Sequence, residues 1–158
     1  MTTKITQKIT GYKVKTEPNT TAQAETENAL ESIHEGLKRP DVLHGATYTI
    51  KPPDETRAMS VTINDMVLNK GTENEQKRPY EVFINSRSVD DAQWVMALTR
   101  ITSAVFRKGG DIGFIADELK SVNDPSGGFF AKGKGYVPSL VSNVGMVLED
   151  HFKLNGVQ

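Results

Sequence analysis

The spacing of apolar side chains changes once along this sequence, and this change constrains the fold more than any other feature. Between His44 and Asn85, apolar and polar residues alternate, which is typical of half-buried β-strands. From Ser88 onward, apolar residues recur every three or four positions, which is typical of amphipathic helices. Strands that precede helices predict an α+β fold, here an antiparallel β-meander followed by three helices packed on one face of the sheet.

The alternating region divides into three predicted strands. They lie at about 44–51, 59–63 and 80–85, the apolar run at 66–68 can extend the second, and a charged loop is expected at 69–78. Three polar residues fall where the predicted strands end, namely Asn64, Asp65 and Asn85. Asparagine and aspartate at strand ends usually form turns, and we favour that interpretation. As an alternative, Asn85 and the nearby Arg87 could line a small pocket.

Three helices are predicted in the second half of the chain. The first starts at Ser88 as its N-cap and is so apolar that we expect packing on more than one side and a place at the centre of the core. Its predicted apolar stripe is Trp94, Leu98, Ile101 and Val105, and Val95, Thr102 and Phe106 widen it. The second spans about 112–122 with Asp111 as N-cap, and the third starts near Pro138. Arg100 lies within the first helix, and we favour a side chain that extends to solvent over a ligand contact.

The first 40 residues differ from the rest of the sequence. They predict a weak strand at 4–15 and a short amphipathic helix from about 21 to 38, which Pro40 ends. We therefore predict an N-terminal appendage at 1–40 and an α+β domain at 41–158.

Composition excludes several classes of function. The sequence contains no cysteine, so this chain forms no disulfide, thiolate metal site or thiol relay. A net charge of −1 provides no bulk attraction to nucleic acid or to an anionic membrane. No apolar run is long enough to span a bilayer and no secretory signal is evident, so we expect a cytoplasmic protein without a membrane partner. The three histidines and the acidic residues match no metal-binding or catalytic motif, so we predict no catalytic or metal-ligating residue.

Two glycine-rich segments are candidates for ligand binding. In the first, Arg107, Lys108, Gly109 and Gly110 precede a helix, where backbone N–H groups and cations can hold a phosphate. The same residues fit a helix C-cap followed by a tight turn, and Asp111 would repel a phosphate, so we favour the turn.

The second segment, at 126–136, combines glycines with lysines and aromatic residues. Lys132, Lys134 and Tyr136 could hold a nucleotide by charge and stacking. We rank this below two other interpretations of equal weight, in which Phe129 and Phe130 contact the core or a protein partner.

The order of several segments resembles one known family. VLHGATYTIK, MSVTIND, KRPYEVFINS, QWVMALTRITSAVFRKGGDIGFIADEL, DPSGG and YVPSL are similar to the TSCPD domain, the C-terminal region of class II, adenosylcobalamin-dependent ribonucleotide reductases. The resemblance runs from about residue 38 to residue 152. It implies a separately encoded small chain of a bacterial or phage reductase, whose large catalytic chain carries the radical chemistry and adenosylcobalamin. The cysteine that names the domain is missing here, and so is the cysteine-rich tail of many of these reductases.

Two functions remain open at this point. The resemblance implies a non-catalytic accessory or assembly subunit that docks on the large chain of the reductase and binds no cofactor itself. The alternative is a stand-alone protein, either a monomer or a homo-oligomer, that binds a nucleotide or another small anion through the two glycine-rich segments.

Overall fold

A three-stranded antiparallel sheet lies at the centre of the computed structural model, which describes residues 30–157. The strands are β1 (His44–Ile50), β2 (Met59–Leu68) and β3 (Gln76–Ser86), and they pair in the order β1-β2-β3. The helices α1 (Ala92–Lys108), α2 (Phe114–Lys120) and α3 (Leu140–Leu154) follow the sheet. The predicted α+β class, with a meander followed by three helices, is confirmed.

Strands β2 and β3 are longer than the alternation predicts. β2 continues to Leu68 through an irregularity in the pairing between Asn64 and Asp65, and Leu68 pairs with Gln76 of β3. The charged loop is therefore restricted to 69–75, because backbone pairing continues the strand through residues whose side chains are polar. The turn interpretation of Asn64, Asp65 and Asn85 is wrong, since all three lie within paired strands.

Helix α1 runs along the outer edge of β3. The Ser103 hydroxyl donates to the Val82 carbonyl at 3.1 Å and accepts from the Val82 N–H at 3.0 Å, while Thr99 Oγ1 accepts from the Ile84 N–H at 3.2 Å. These hydroxyls satisfy backbone groups that would otherwise form an open sheet edge. The side of α1 that faces the sheet is consequently partly polar.

Except at Ile101, α1 packs on the core with the apolar stripe that its spacing predicts. Its buried residues are Val95, Thr102, Ser103 and Phe106, whereas the predicted inward residue Ile101 is 60% exposed and Met96 is 62% exposed. The prediction that α1 packs on more than one side is therefore wrong. Ser103 lies outside the predicted stripe and faces inward because its hydroxyl bonds the backbone of Val82 at the edge of β3.

The observed N-caps of α1 and α2 also differ from the predicted ones. Ser88 is not the N-cap of α1, because Asp91 occupies that position and its carboxylate accepts from Arg57 and from Trp94 Nε1. Asp111 Oδ1 accepts from the Gly113 N–H at 2.9 Å in a local turn, and Gly113 is the N-cap of α2. The second helix is thus shorter than predicted at both ends.

A short hairpin occupies the segment that was predicted to be a loop. Strands β4 (Phe129–Ala131) and β5 (Gly135–Val137) pair with each other and lead into α3. Ser139 is the N-cap of α3 and accepts from the Ser142 N–H at 2.9 Å, one residue after the predicted start at Pro138.

The described residues that precede β1 pack on the sheet. Ile33 is buried in a small cluster whose other members are Met66, Leu68, Tyr80, Leu37 and Leu43. Residues 30–38 contain a turn but no helix, so this part of the predicted helix at 21–38 is wrong. A compact unit begins at Glu31. The predicted strand at 4–15 and the start of the predicted helix lie outside the described residues.

Candidate functional site

One face of the three-stranded sheet carries polar side chains that no described helix covers. We call it the open face; its residues are Thr47, Thr49, Ser60, Thr62, Phe83 and Asn85. The strand register places Thr49, Ser60 and Asn85 in one row and Thr47, Thr62 and Phe83 in the next. The Thr47 and Thr62 hydroxyls are 2.9 Å apart, and Phe83 is 47% exposed. Aromatic side chains are enriched at protein interfaces, so the exposed Phe83 makes this face a candidate binding surface.

A groove borders the open face where β3 meets α1. It has a volume of about 580 Å³, and its lining includes Glu81, Phe83, Arg100, Ile101 and Arg107. Arg100 and Arg107 lie two helical turns apart, about 10 Å along the axis, on the same side of α1. Both arginines are exposed, which agrees with the prediction that Arg100 extends to solvent. The groove therefore brings together two cations and two exposed apolar side chains.

The acidic residue in this groove is already paired. Arg39 donates to both carboxylate oxygens of Glu81, at 3.0 and 2.8 Å, and Asn64 donates to the same carboxylate at 2.9 Å. The hydrogen bonds from Arg39 hold the pKa of Glu81 below its ordinary value, although burial opposes them. Since Glu81 is neutralised by Arg39, Arg100 and Arg107 set the positive charge of the groove.

A second pocket lies at the opposite end of the open face. Its volume is about 470 Å³, and its polar lining includes Thr49, Lys51, Ser60, Asn85 and Arg87. Asn85 and Arg87 both line this pocket, as in the alternative that we ranked below a turn at Asn85. We call this the strand-end pocket.

The other glycine-rich candidates are engaged in local structure. The Gly110 carbonyl accepts from Arg78 at 2.6 Å, and a side chain at Gly109 would collide with the backbone of Ile33. Lys108 lies outside the groove that contains Arg107. The turn that we favoured thus forms a junction with residues near the start of the described chain, and the structure does not gather Arg107, Lys108, Gly109 and Gly110 around one point.

The hairpin candidates are separate from both pockets. Lys134 Nζ lies 3.7 Å from Asp150 and 3.4 Å from Asn143 of α3. Tyr136 packs edge-on against Phe130, which is 78% exposed, and its hydroxyl accepts from the Gly128 N–H at 3.2 Å. Lys132 is exposed beside them. Of the two interpretations that we ranked equal, the exposed position of Phe130 fits a partner contact, while Phe129 packs against the core.

A buried polar network links α3 to the sheet, and the sequence did not predict it. His151 Nε2 lies 2.9 Å from Asp65 Oδ1, and His151 Nδ1 lies 2.8 Å from the Tyr48 hydroxyl. Burial, followed by the charge of Asp65, raises the pKa of Tyr48, which keeps the phenol protonated. Because 86 positions separate Asp65 from His151, no local sequence signal reveals this contact.

Two kinds of site are absent from the described part of the chain. Residues 30–157 contain no cluster of three histidine or carboxylate side chains placed to hold a metal ion. Within the same range, no helix combines the length and apolar character needed to cross a bilayer.

The meander, the three helices and the polar open face define a small α+β domain with a candidate binding surface. The chain belongs to the TSCPD domain family, whose model matches residues 19–152. No curated protein and no solved structure shows significant similarity to it.

Proposed function

We propose that this chain is a non-catalytic accessory subunit of a ribonucleotide reductase. The observation that carries the proposal is membership of the TSCPD domain family, which is associated with these reductases. In this proposal the reductase is of the cobalamin-dependent class, and its large chain holds adenosylcobalamin and the radical chemistry. The chain described here contributes binding surface alone, since it has no cysteine with which to relay electrons.

The groove between β3 and α1 is the docking surface in this proposal. Its two exposed cations, Arg100 and Arg107, flank the exposed side chains of Phe83 and Ile101. This arrangement complements a segment of the large chain that carries two carboxylates around an apolar side chain. Arg39 pairs with Glu81 in the groove and so neutralises the acidic charge that would repel such a segment.

The experiment measures association between the full chain and the reductase large chain from the same genome. We expect Arg100→Glu with Arg107→Glu to weaken association by about tenfold or more, because two attractive contacts become repulsive. The matched control is Lys70→Glu with Lys108→Glu, which changes the net charge equally at exposed positions outside the groove. If the two chains do not associate and reductase activity is unchanged by adding this chain, the proposal is wrong.

Stand-alone binding of a nucleotide or a small anion is the second candidate function, for a monomer or a homo-oligomer. The exposed Phe130–Tyr136 pair beside Lys132 favours it, because bases stack on aromatic rings next to cations. Calorimetry with a panel of nucleotides tests it, and Lys132→Ala with Lys134→Ala should abolish the heat of binding.

A further inference from the structure

The strand-end pocket owes its position to the topology of the sheet. The outer strands β1 and β3 both run antiparallel to β2, so their C-terminal ends meet at one edge beside the start of β2. Ile50, Met59 and Ser86 form the last paired row there. Lys51 and Arg87 are the next residues of their strands, and the Arg87 N–H donates to the Ala58 carbonyl at 3.1 Å. This bond fixes Arg87 against the edge of the sheet.

Alternation places both cations on the open face. Lys51 follows Thr49 by two residues and Arg87 follows Asn85 by two, so each cation stands on the same side as the polar residue before it. Adjacent strands are about 4.8 Å apart, so Lys51 and Arg87 stand roughly 10 Å apart across β2. The next row of the open face, two residues back along β1 and β3, consists of the Thr49 hydroxyl, the Ser60 hydroxyl and the Asn85 amide. These polar atoms form no side-chain hydrogen bond with another residue in 30–157.

The remaining charged group in the pocket is a carboxylate. Glu55 lines it from the single helical turn Glu55–Arg57, which connects β1 to β2. A carboxylate repels a bare anion but accepts hydrogen bonds from hydroxyl groups. The pocket therefore combines two cations and neutral donors with one carboxylate acceptor.

We propose that the strand-end pocket binds a small phosphomonoester that also carries hydroxyl groups. Lys51 and Arg87 hold the phosphate, whose oxygens accept charge-assisted hydrogen bonds from both side chains. The Ser60 hydroxyl and the Asn85 amide supply neutral donors, and Glu55 accepts from the ligand hydroxyls. A volume of about 470 Å³ is suited to a ligand larger than inorganic phosphate. This site is independent of the groove proposed for docking.

Calorimetry of the full chain with three probes tests the proposal: inorganic phosphate, ribose 5-phosphate and adenosine 5′-monophosphate. We expect both esters to bind more tightly than inorganic phosphate. Lys51→Gln with Arg87→Gln should weaken both esters by about tenfold or more, since two charge-assisted contacts are lost. Glu55→Gln should reduce the preference for ribose 5-phosphate over inorganic phosphate. Tighter binding of the nucleotide than of ribose 5-phosphate would show that the base is also bound.

The control is Arg100→Gln with Arg107→Gln, which removes the same number of positive charges from the groove and should leave ester affinity unchanged. Absence of binding for all three probes, or equal affinity in the Lys51→Gln, Arg87→Gln variant, overturns the proposal. Lys51 and Arg87 are exposed, so their replacement should leave folding intact. If the double variant nonetheless unfolds, the test is the change in amide NMR chemical shifts of the unmodified chain on addition of ribose 5-phosphate. Shift changes confined to residues outside 49–51 and 85–87 would show that the ligand binds elsewhere and would contradict the proposal. Docking to the large chain is measured separately, with the Arg100→Glu, Arg107→Glu variant, so the two proposals can fail independently.

Discussion

The two faces of the three-stranded sheet carry opposite chemistry on the same strands. On β2, Met59, Val61 and Ile63 point towards the helices and are almost fully buried, whereas Ser60 and Thr62 point the other way and are partly exposed. The first face packs against α1 and α3, and the second bears the hydroxyl groups, Phe83 and the two flanking pockets. One face therefore determines stability, while the other is available for binding.

The difference shows how a small domain separates folding from recognition. Substitutions on the buried face must preserve volume and hydrogen bonding, because close packing leaves no room for adjustment. Substitutions on the open face alter contacts with solvent, so they should change binding with little effect on stability. Paired substitutions on the two faces test this separation directly.

Replacing one phenylalanine on each side should give the largest contrast. Phe106 of α1 is fully buried and packs edge-on against Phe152, so Phe106→Ala should lower the free energy of unfolding by about 3–5 kcal/mol. Phe83→Ala, on the open face, should cost less than about 1 kcal/mol because the ring is half exposed. Urea denaturation measures both values, and similar losses would show that the two faces are not distinct.

Substitutions in the buried network of Asp65, His151 and Tyr48 should give the next largest loss of stability. His151→Leu removes the partner of both Asp65 and Tyr48 and leaves a buried carboxylate unpaired, which should cost about 2–3 kcal/mol. Tyr48→Phe removes a single hydrogen bond and should cost about 1 kcal/mol. If both variants are as stable as the original chain, the network does not link α3 to the sheet.

Removing the hydroxyl that covers the edge of β3 should lower the stability by a smaller amount. Ser103→Ala leaves the buried N–H and carbonyl of Val82 without a partner, so we expect a loss of about 1–2 kcal/mol by urea denaturation. Ser121→Ala is the matched control, since that hydroxyl bonds a carbonyl at the exposed end of α2 and its loss should cost less than about 0.5 kcal/mol. Equal costs would contradict the role of Ser103 in covering the edge.

The fold could be predicted from the sequence where local periodicity decides it. Alternation in β1, β2 and β3 placed the meander, and helical spacing placed α1, α2 and α3. The inward position of Ser103 on α1 could not be predicted this way, because its hydroxyl bonds Val82, a residue of another element. The described segment before β1 was assigned to a helix because the apolar spacing fits one, yet Ile33 packs on Met66 and Tyr80 without helical structure.

The candidate site could be predicted less completely. The spacing of seven residues between Arg100 and Arg107 fits one side of a helix, but the neighbouring Phe83 is known only once β3 lies beside α1. Lys51 belongs to the strand-end pocket because the C-terminal ends of β1 and β3 lie at the same edge of the sheet. An antiparallel meander, as predicted from the sequence, implies this arrangement of the strand ends. The contact of His151 with Asp65 depends on packing of α3 against the sheet, which no periodicity encodes.

The Arg39–Glu81 pair should give the smallest effect, and one that depends on pH. Its hydrogen bonds hold the pKa of Glu81 below that of an unfolded glutamate, about 4.3. The stabilisation is therefore present above the unfolded pKa and is lost as the pH falls through the lower, folded pKa. Glu81→Gln should remove this part of the acid dependence, measured as the free energy of unfolding between pH 7 and pH 3. Glu75→Gln, in the exposed loop, should leave the acid dependence unchanged. Because the Arg39 side chain is half exposed, solvent screening keeps the contribution of this pair to stability small. A steep loss of stability in acid that disappears in Glu81→Gln would mean that the pair, which lies on the side of the open face, is needed for folding. Such a result would contradict the separation of stability and binding between the two faces.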